Sequence, residues 1–281
     1  MIKEINKITK NNVDFLNLQE NHLSIQLCLD GFSFCIYNKI QDEIGAFAAY
    51  EFINTNNYSP YKHLELVEQL YNQEILLQAK YESVSVAHSN NLVTQVPKAL
   101  FDKENLTKYL QHTVKVLEND YITYDELHNL EIVNVYIPFV NINNFLLDKY
   151  GTFIYKHSST ILIENLLNKY KNIEGDYCFI NVFKNSFEII VVKNKKFELF
   201  NSFSFNTKED FIYYILFVAE QLQLNPEEFN LVLLGDIEKE SELYTILYQY
   251  IRTINFYKPS NFPSILKDFS SHTHFTLLNQ L

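Results

Sequence analysis

Two stretches of this chain alternate in the same way, and that repetition constrains the fold more than any other feature. Residues 23–37 place Leu23, Ile25, Leu27, Leu29, Phe32, Phe34 and Ile36 on one face of a hairpin. Ser24, Gln26, Cys28, Ser33, Cys35 and Tyr37 share the other face. Asp30-Gly31 reads as the two central turn residues, both expected at positive φ. A shift of 155 residues superimposes the second stretch without a gap: Ile25 meets Ile180, Leu27 meets Val182, and Asp30-Gly31 meets Asn185-Ser186. Phe32, Phe34 and Ile36 then meet Phe187, Ile189 and Val191. Each hairpin is followed by a third extended run, a helix and another strand, the second of which, Leu231 to Leu234, runs into Gly235. Agreement over so many successive elements predicts a duplicated unit: three antiparallel strands, then a crossover helix to a buried strand.

The remaining elements fit around those two units. Residues 3–20 read as a polar arm with one edge strand. Ser59-Pro60 opens a helix read through Lys80, and Asp102 opens one read to Glu118. Residues 141–149 and 158–170 are helical by period, and short strands are expected at 83–88, 92–96, 132–139 and 152–155. Thr207-x-x-Asp210 has the form of a capping box. The helix behind it is apolar on every side from Phe211 to Val218, so it is expected to be packed on both sides rather than to be a partner surface. Residues 171–175 are the one linker, which divides the chain into residues 1–172 and 173–281. The fold class is α/β, with two related lobes of mixed sheets around a cleft.

Composition excludes several functions. The formal charge is −11, from 23 basic and 34 acidic residues, which argues against a nucleic-acid partner. No apolar run reaches the length of a membrane span, and the N-terminus lacks the apolar core of a signal peptide, so the expected compartment is the cytoplasm. Cys28, Cys35 and Cys178 show no C-x-x-C spacing and read as free thiols. His272-Thr-His274 could point two imidazoles one way, but two ligands do not make a zinc site, and no metal is expected. No G-x-S-x-G, Walker loop, G-x-G-x-x-G or H-E-x-x-H occurs.

Strand-strand-strand-helix-strand-helix-strand, occurring twice, is the plan of the superfamily of actin, sugar kinases and heat-shock ATPases, whose architecture is ribonuclease H-like. The chain resembles an uncharacterised bacteroidete family of actin-like proteins with a domain of unknown function. That likeness covers nearly the whole chain and is most recognisable in Leu23-Ser-Ile-Gln-Leu-Cys-Leu-Asp-Gly-Phe-Ser-Phe-Cys-Ile36. Pilus-assembly and secretion relatives of actin resemble it more loosely, in Phe179-Ile-Asn-Val-Phe-Lys-Asn-Ser-Phe-Glu-Ile-Ile190 and Leu231-Val-Leu-Leu-Gly235.

The resemblance implies a bacterial protein, and it shows what the chain lacks. Active superfamily members carry Asp-x-Gly on the first strand of each hairpin. The carboxylate holds the Mg²⁺ shell, and the glycine lets backbone N–H groups approach phosphate. The matching positions here are Gln26-Leu27-Cys28 and Asn181-Val182-Phe183. An amide has no formal charge to offset the dehydration of Mg²⁺. Active members have Gly-Gly after the buried strand, whereas Gly235 is followed by Asp236. The expectation is a degenerate phosphate site at Gln26, Cys28, Asn181, Phe183 and Gly235, with no catalytic residue and no cofactor. Glu188, opposite Asn181, is the one acid near it. The implied function is a non-catalytic scaffold, a pseudoenzyme that binds an unidentified protein. The alternatives are a divergent nucleotide-binding kinase or ATPase and a nuclease-like hydrolase, though the latter needs a carboxylate where Gln26 stands.

Overall fold

Leu23, Ile25, Leu27, Phe32, Phe34 and Ile36 form one buried face of a hairpin, as their alternation requires. The computed structural model describes residues 1–10, 20–53, 59–127 and 130–280. Contacts group the chain into two units, Met1–Glu164 with Thr276–Leu281, and Asn165–Phe275.

The first unit holds β1 (Ile2–Thr9), β2 (Asn21–Cys28), β3 (Gly31–Asn38), β4 (Glu43–Phe52), α1 (Pro60–Gln73) and β5 (Ser83–Ser89). After β5 come β6 (Val93–Pro97), α2 (Leu106–Leu110), β7 (Thr123–Leu127), β8 (Ile132–Tyr136), α3 (Val140–Tyr150) and β9 (Ile154–His157). Its main sheet runs β1-β4-β3-β2-β5-β9, and β6-β8-β7 form a separate three-stranded sheet with its own small core. After α4 (Ser158–Tyr170), and with α7 (Phe275–Leu278) assigned to the first unit except for Phe275, the second unit holds β10 (Tyr177–Val182), β11 (Ser186–Lys193), β12 (Lys196–Ser204), α5 (Lys208–Gln221), β13 (Asn230–Gly235), α6 (Glu242–Tyr250) and β14 (Thr253–Phe256). Its sheet runs β12-β11-β10-β13-β14.

The two sheets have the same strand order once β1 is set aside, β4-β3-β2-β5-β9 against β12-β11-β10-β13-β14. In each, the first hairpin strand pairs antiparallel with the second and parallel with the strand after the crossover helix. The match extends to details. Leu27 pairs with Phe32, and Val182 with Phe187. The Phe52 N–H donates to the Asp30 carbonyl, and the Phe205 N–H to that of Asn185. The register slips at Ile36/Tyr37 in one unit and at Val191/Val192 in the other, so even the β-bulge recurs.

Both turns sit one residue earlier than the alternation suggests. Cys28 pairs with Gly31, leaving Leu29-Asp30 at the tip, and none of Leu29, Asp30 and Gly31 has positive φ. Leu29 is exposed rather than part of the buried face. Gly31 is needed for close approach: a Cβ there would lie 2.9 Å from the Tyr50 carbonyl oxygen on β4.

Other departures have local causes. The first long helix ends at Gln73 because Glu74 turns extended, where its carboxylate accepts from Tyr50 Oη and Lys7 Nζ, each at 2.6 Å. Residues 75–78 form a separate 3₁₀ turn. The helix expected over 102–118 reduces to a 3₁₀ turn, Lys103–Asn105, and the five residues of α2. The β-branched Thr113, Val114 and Val116 carry little helical preference beyond it. A further strand, β7, follows that segment. The capping box at Thr207 and Asp210 forms as expected. Helix α5 is covered on one side only, because Tyr213 is 61% and Phe217 43% exposed.

Gly31→Val is expected to lower stability by about 1–3 kcal/mol, through collision with the β4 backbone rather than through φ strain. Chemical denaturation checks this, and an unchanged midpoint would show that β4 can move aside.

Candidate functional site

In the second unit the expected site residues gather where β10 and β13 end. Asn181 lies on β10 opposite Glu188 on β11, and its Nδ2 donates to Glu188 Oε2 at 2.9 Å. Glu188 is only 5% exposed, and burial pushes its carboxyl up to about 7, with the Asn181 hydrogen bond acting in the opposite sense. A carboxyl that exchanges its proton near neutrality has the chemistry of a general acid or base. Phe183 begins the turn, half-buried, with its N–H donating to the Ser186 carbonyl.

Gly235 pairs in register with Val182 and has φ +78. A Cβ there would lie 2.1 Å from the Val182 carbonyl oxygen and 2.9 Å from Asn181 Oδ1. The next residue completes the junction, its N–H donating to the Val182 carbonyl. This glycine is required by the packing of the chain's own strands. The Gly235 N–H donates to the His272 carbonyl, and His272 Nε2 to the Ile237 carbonyl at 2.8 Å. His272 is therefore a buried structural contact. His274 lies in the left-handed region at φ +55, its pKa lowered by burial to about 4.

In the first unit Gln26 pairs with Ser33 and Ala87, and its Nε2 approaches Cys28 Sγ at 3.6 Å. His63 on α1 makes a hydrogen bond to the Cys28 backbone, and burial holds its imidazole down at about 4. Cys28 is half-buried, while Cys35 and Cys178 are fully buried, and burial lifts the Cys35 thiol to about 12. None of the three is in a disulfide.

A polar network in the same unit went unnoticed in the sequence. Asp125 on β7 accepts from the His157 N–H at 2.8 Å, Thr160 Oγ1 at 2.7 Å and Tyr136 Oη at 3.1 Å, just at the N-terminus of α4. Burial raises its pKa, and those hydrogen bonds pull the other way. His157 Nδ1 accepts from the Ser159 N–H, which leaves Nε2 to donate to the Asn90 carbonyl. His88 likewise accepts at Nδ1 from the Phe139 N–H and donates from Nε2 to Asn143 Oδ1. Both rings are neutral, and burial pushes both to about 3. No spacing rule marks these residues, because β7, β8 and α4 bring them together from distant parts of the chain.

Among the described residues no group of three or more His, Cys, Asp or Glu side chains could hold a metal ion. No described helix is long and apolar enough to cross a membrane.

The family model described as "Protein of unknown function (DUF3822)" matches residues 10–254. The chain belongs to this family. Among solved structures, a Bacteroides thetaiotaomicron protein with an actin-like ATPase fold and unknown function superimposes with TM-score 0.79 at 26% identity, covering 89% of this chain and 95% of that one. A PilM-PilN type IV pilus biogenesis complex matches with TM-score 0.56 at 12% identity, covering 91% of this chain and 96% of that one. No curated protein matches. This DUF3822 protein therefore has the actin-like ATPase fold.

Glu188 generates a pH prediction. In the unfolded chain its carboxyl titrates near 4.5, so between 4.5 and about 7 the folded state binds the extra proton. Ionising the buried group costs stability as pH rises through that window. His274 in the same unit opposes this trend as pH falls below 6.5, so wild-type stability alone does not isolate Glu188. Glu188→Gln does isolate it: its advantage over wild type should grow from pH 5 to pH 8 by on the order of 3 kcal/mol. Denaturation at the two pH values is the measurement. Equal effects at both would mean that the folded carboxyl stays ionised.

Proposed function

We propose that this protein is an actin-like scaffold that does not turn over nucleotide and that acts by binding another protein. The observation that carries the reading is the pair Asn181–Glu188. At the position where an active hairpin presents a carboxylate, this chain presents an amide, already hydrogen-bonded to a buried acid across the ladder. The equivalent residue of the other unit, Gln26, is also an amide. Cys28 and Phe183 put side chains at the positions where active members have glycine. A protein of the same fold occurs in the PilM-PilN complex, which supports a protein partner as the kind of ligand. The acidic charge and the lack of a spanning helix among the described residues suit a cytoplasmic bacterial protein with no nucleic-acid partner. Residues 1–172 and 173–281 would then be its two actin-like lobes.

One observation favours a second reading, a divergent kinase or ATPase. Glu188 restores an acid one strand away from the missing one.

Thermal denaturation in millimolar Mg-ATP separates the two. A ligand that binds only the folded state at a hundredfold excess over Kd adds about 2.7 kcal/mol, several degrees in Tm. The scaffold should show no shift and no Mg²⁺-dependent hydrolysis above a buffer control, and Gln26→Asp with Asn181→Asp should restore neither. A clear shift with the natural sequence would replace the scaffold by the divergent enzyme.

A further inference from the structure

The duplication leaves one unit incomplete relative to the other. In the first unit the outer edge of β4 is covered by β1, with Ile8 opposite Phe47, Asn6 opposite Ala49 and Lys3 opposite Glu51. The Lys10 N–H continues that seam to the Gly45 carbonyl. The equivalent strand of the second unit, β12, is the outermost of its sheet, and among the described residues no strand pairs with its outer edge.

The direction of its backbone groups follows from the ladder. Phe205 donates inward to Asn185, so alternation turns the N–H and carbonyl groups of Phe200, Ser202 and Ser204 outward. These correspond to Phe47, Ala49 and Glu51, the residues that β1 covers. A hydrogen bond guards one of the outward groups: the Ser202 N–H donates to Asn201 Oδ1 at 2.8 Å. Residues 200–204 carry no charge, and the lysine and glutamate of this strand, Lys196 and Glu198, lie before them.

We propose that the β12 edge pairs antiparallel with the β12 edge of a second copy of this chain, across a two-fold axis at Ser202. Two identical strands that hydrogen-bond edge to edge in one sheet across a two-fold axis are antiparallel, which is how β12 already pairs with β11. With Ser202 facing its mate, Phe200 of each copy faces Ser204 of the other, a large side chain against a small one, and no like charges are opposed. The pairing joins two five-stranded sheets into one and satisfies both edges at once. The other edges of the two large sheets are less suited. β9 and β14 have four residues each. The outer edge of β1 carries Lys3 and Lys7 and a register break between Glu4 and Asn6, features that keep strand edges apart.

Sedimentation of the full chain over a range of concentrations tests this. The natural protein should pass from 33.3 kDa to twice that mass as concentration rises. Ser202→Pro, which removes the central donor, should stay monomeric. Because this variant can fail to fold, Ser202→Lys made together with Glu188→Gln is the second: it keeps the N–H, removes the acid opposite residue 202, and sets like charges across the axis. It should be monomeric with unchanged circular dichroism. Asn201→Ala frees the Ser202 N–H and should move the midpoint severalfold lower in concentration. A natural protein that is monomeric up to its solubility limit would overturn the proposal. So would a dimer that persists in the folded double variant.

Discussion

Each unit depends on one strand that is paired on both sides. β2 and β10 each bond antiparallel to their hairpin partner and parallel to the strand reached through the crossover helix. A strand in that position has no free edge, and in both units its apolar side chains sit at the centre of the core. A slip of one residue would turn Ile180 and Val182 away from α5 and bring Asn181 into the apolar layer. Register in these strands therefore determines everything stacked on them. Two glycines hold it at points of close backbone approach, Gly31 against Tyr50 and Gly235 against Val182.

The same strands carry candidate site residues. On the face of β10 turned away from α5, Asn181 bonds Glu188 among the buried Phe179, Ile190 and Leu234. Burial raises the pKa of this carboxyl because without a countercharge its protonated form is the less costly one to bury. The first unit follows a different route with the same physics. Burial keeps the rings of His88 and His157 neutral, each Nδ1 accepts from a backbone N–H, and each Nε2 proton has an acceptor. Asp125 ties β7 and β8 to the start of α4 in the same fully bonded manner.

Much of this was legible in the residues. Alternation placed the buried faces of both hairpins, the shift of 155 residues revealed the duplication, and Thr207 with Asp210 marked the start of α5. The five candidate positions come from the superfamily resemblance, four on the hairpins and Gly235 after the buried strand; the structure places Asn181 beside Glu188 and Gly235 beside Val182. The exposure of Tyr213 and Phe217 was not legible, because an apolar run looks the same whether or not something covers it.

Sequence alone determined what depends on period and near neighbours: which side of a strand is apolar, where a helix is capped, and that the pattern occurs twice. Tertiary structure decided what depends on residues far apart in the chain. It moved the hairpin turn so that Gly31 could meet the Tyr50 carbonyl, and it ended α1 where Glu74 could reach Tyr50 and Lys7. It assembled the Asp125 network from three separate elements, and it covered β4 with β1 while leaving β12 at the edge of its sheet. The reason is one of range. Local preferences are worth tenths of a kcal/mol per residue, whereas a backbone collision or an unpaired buried polar group costs one or more, about enough to override them.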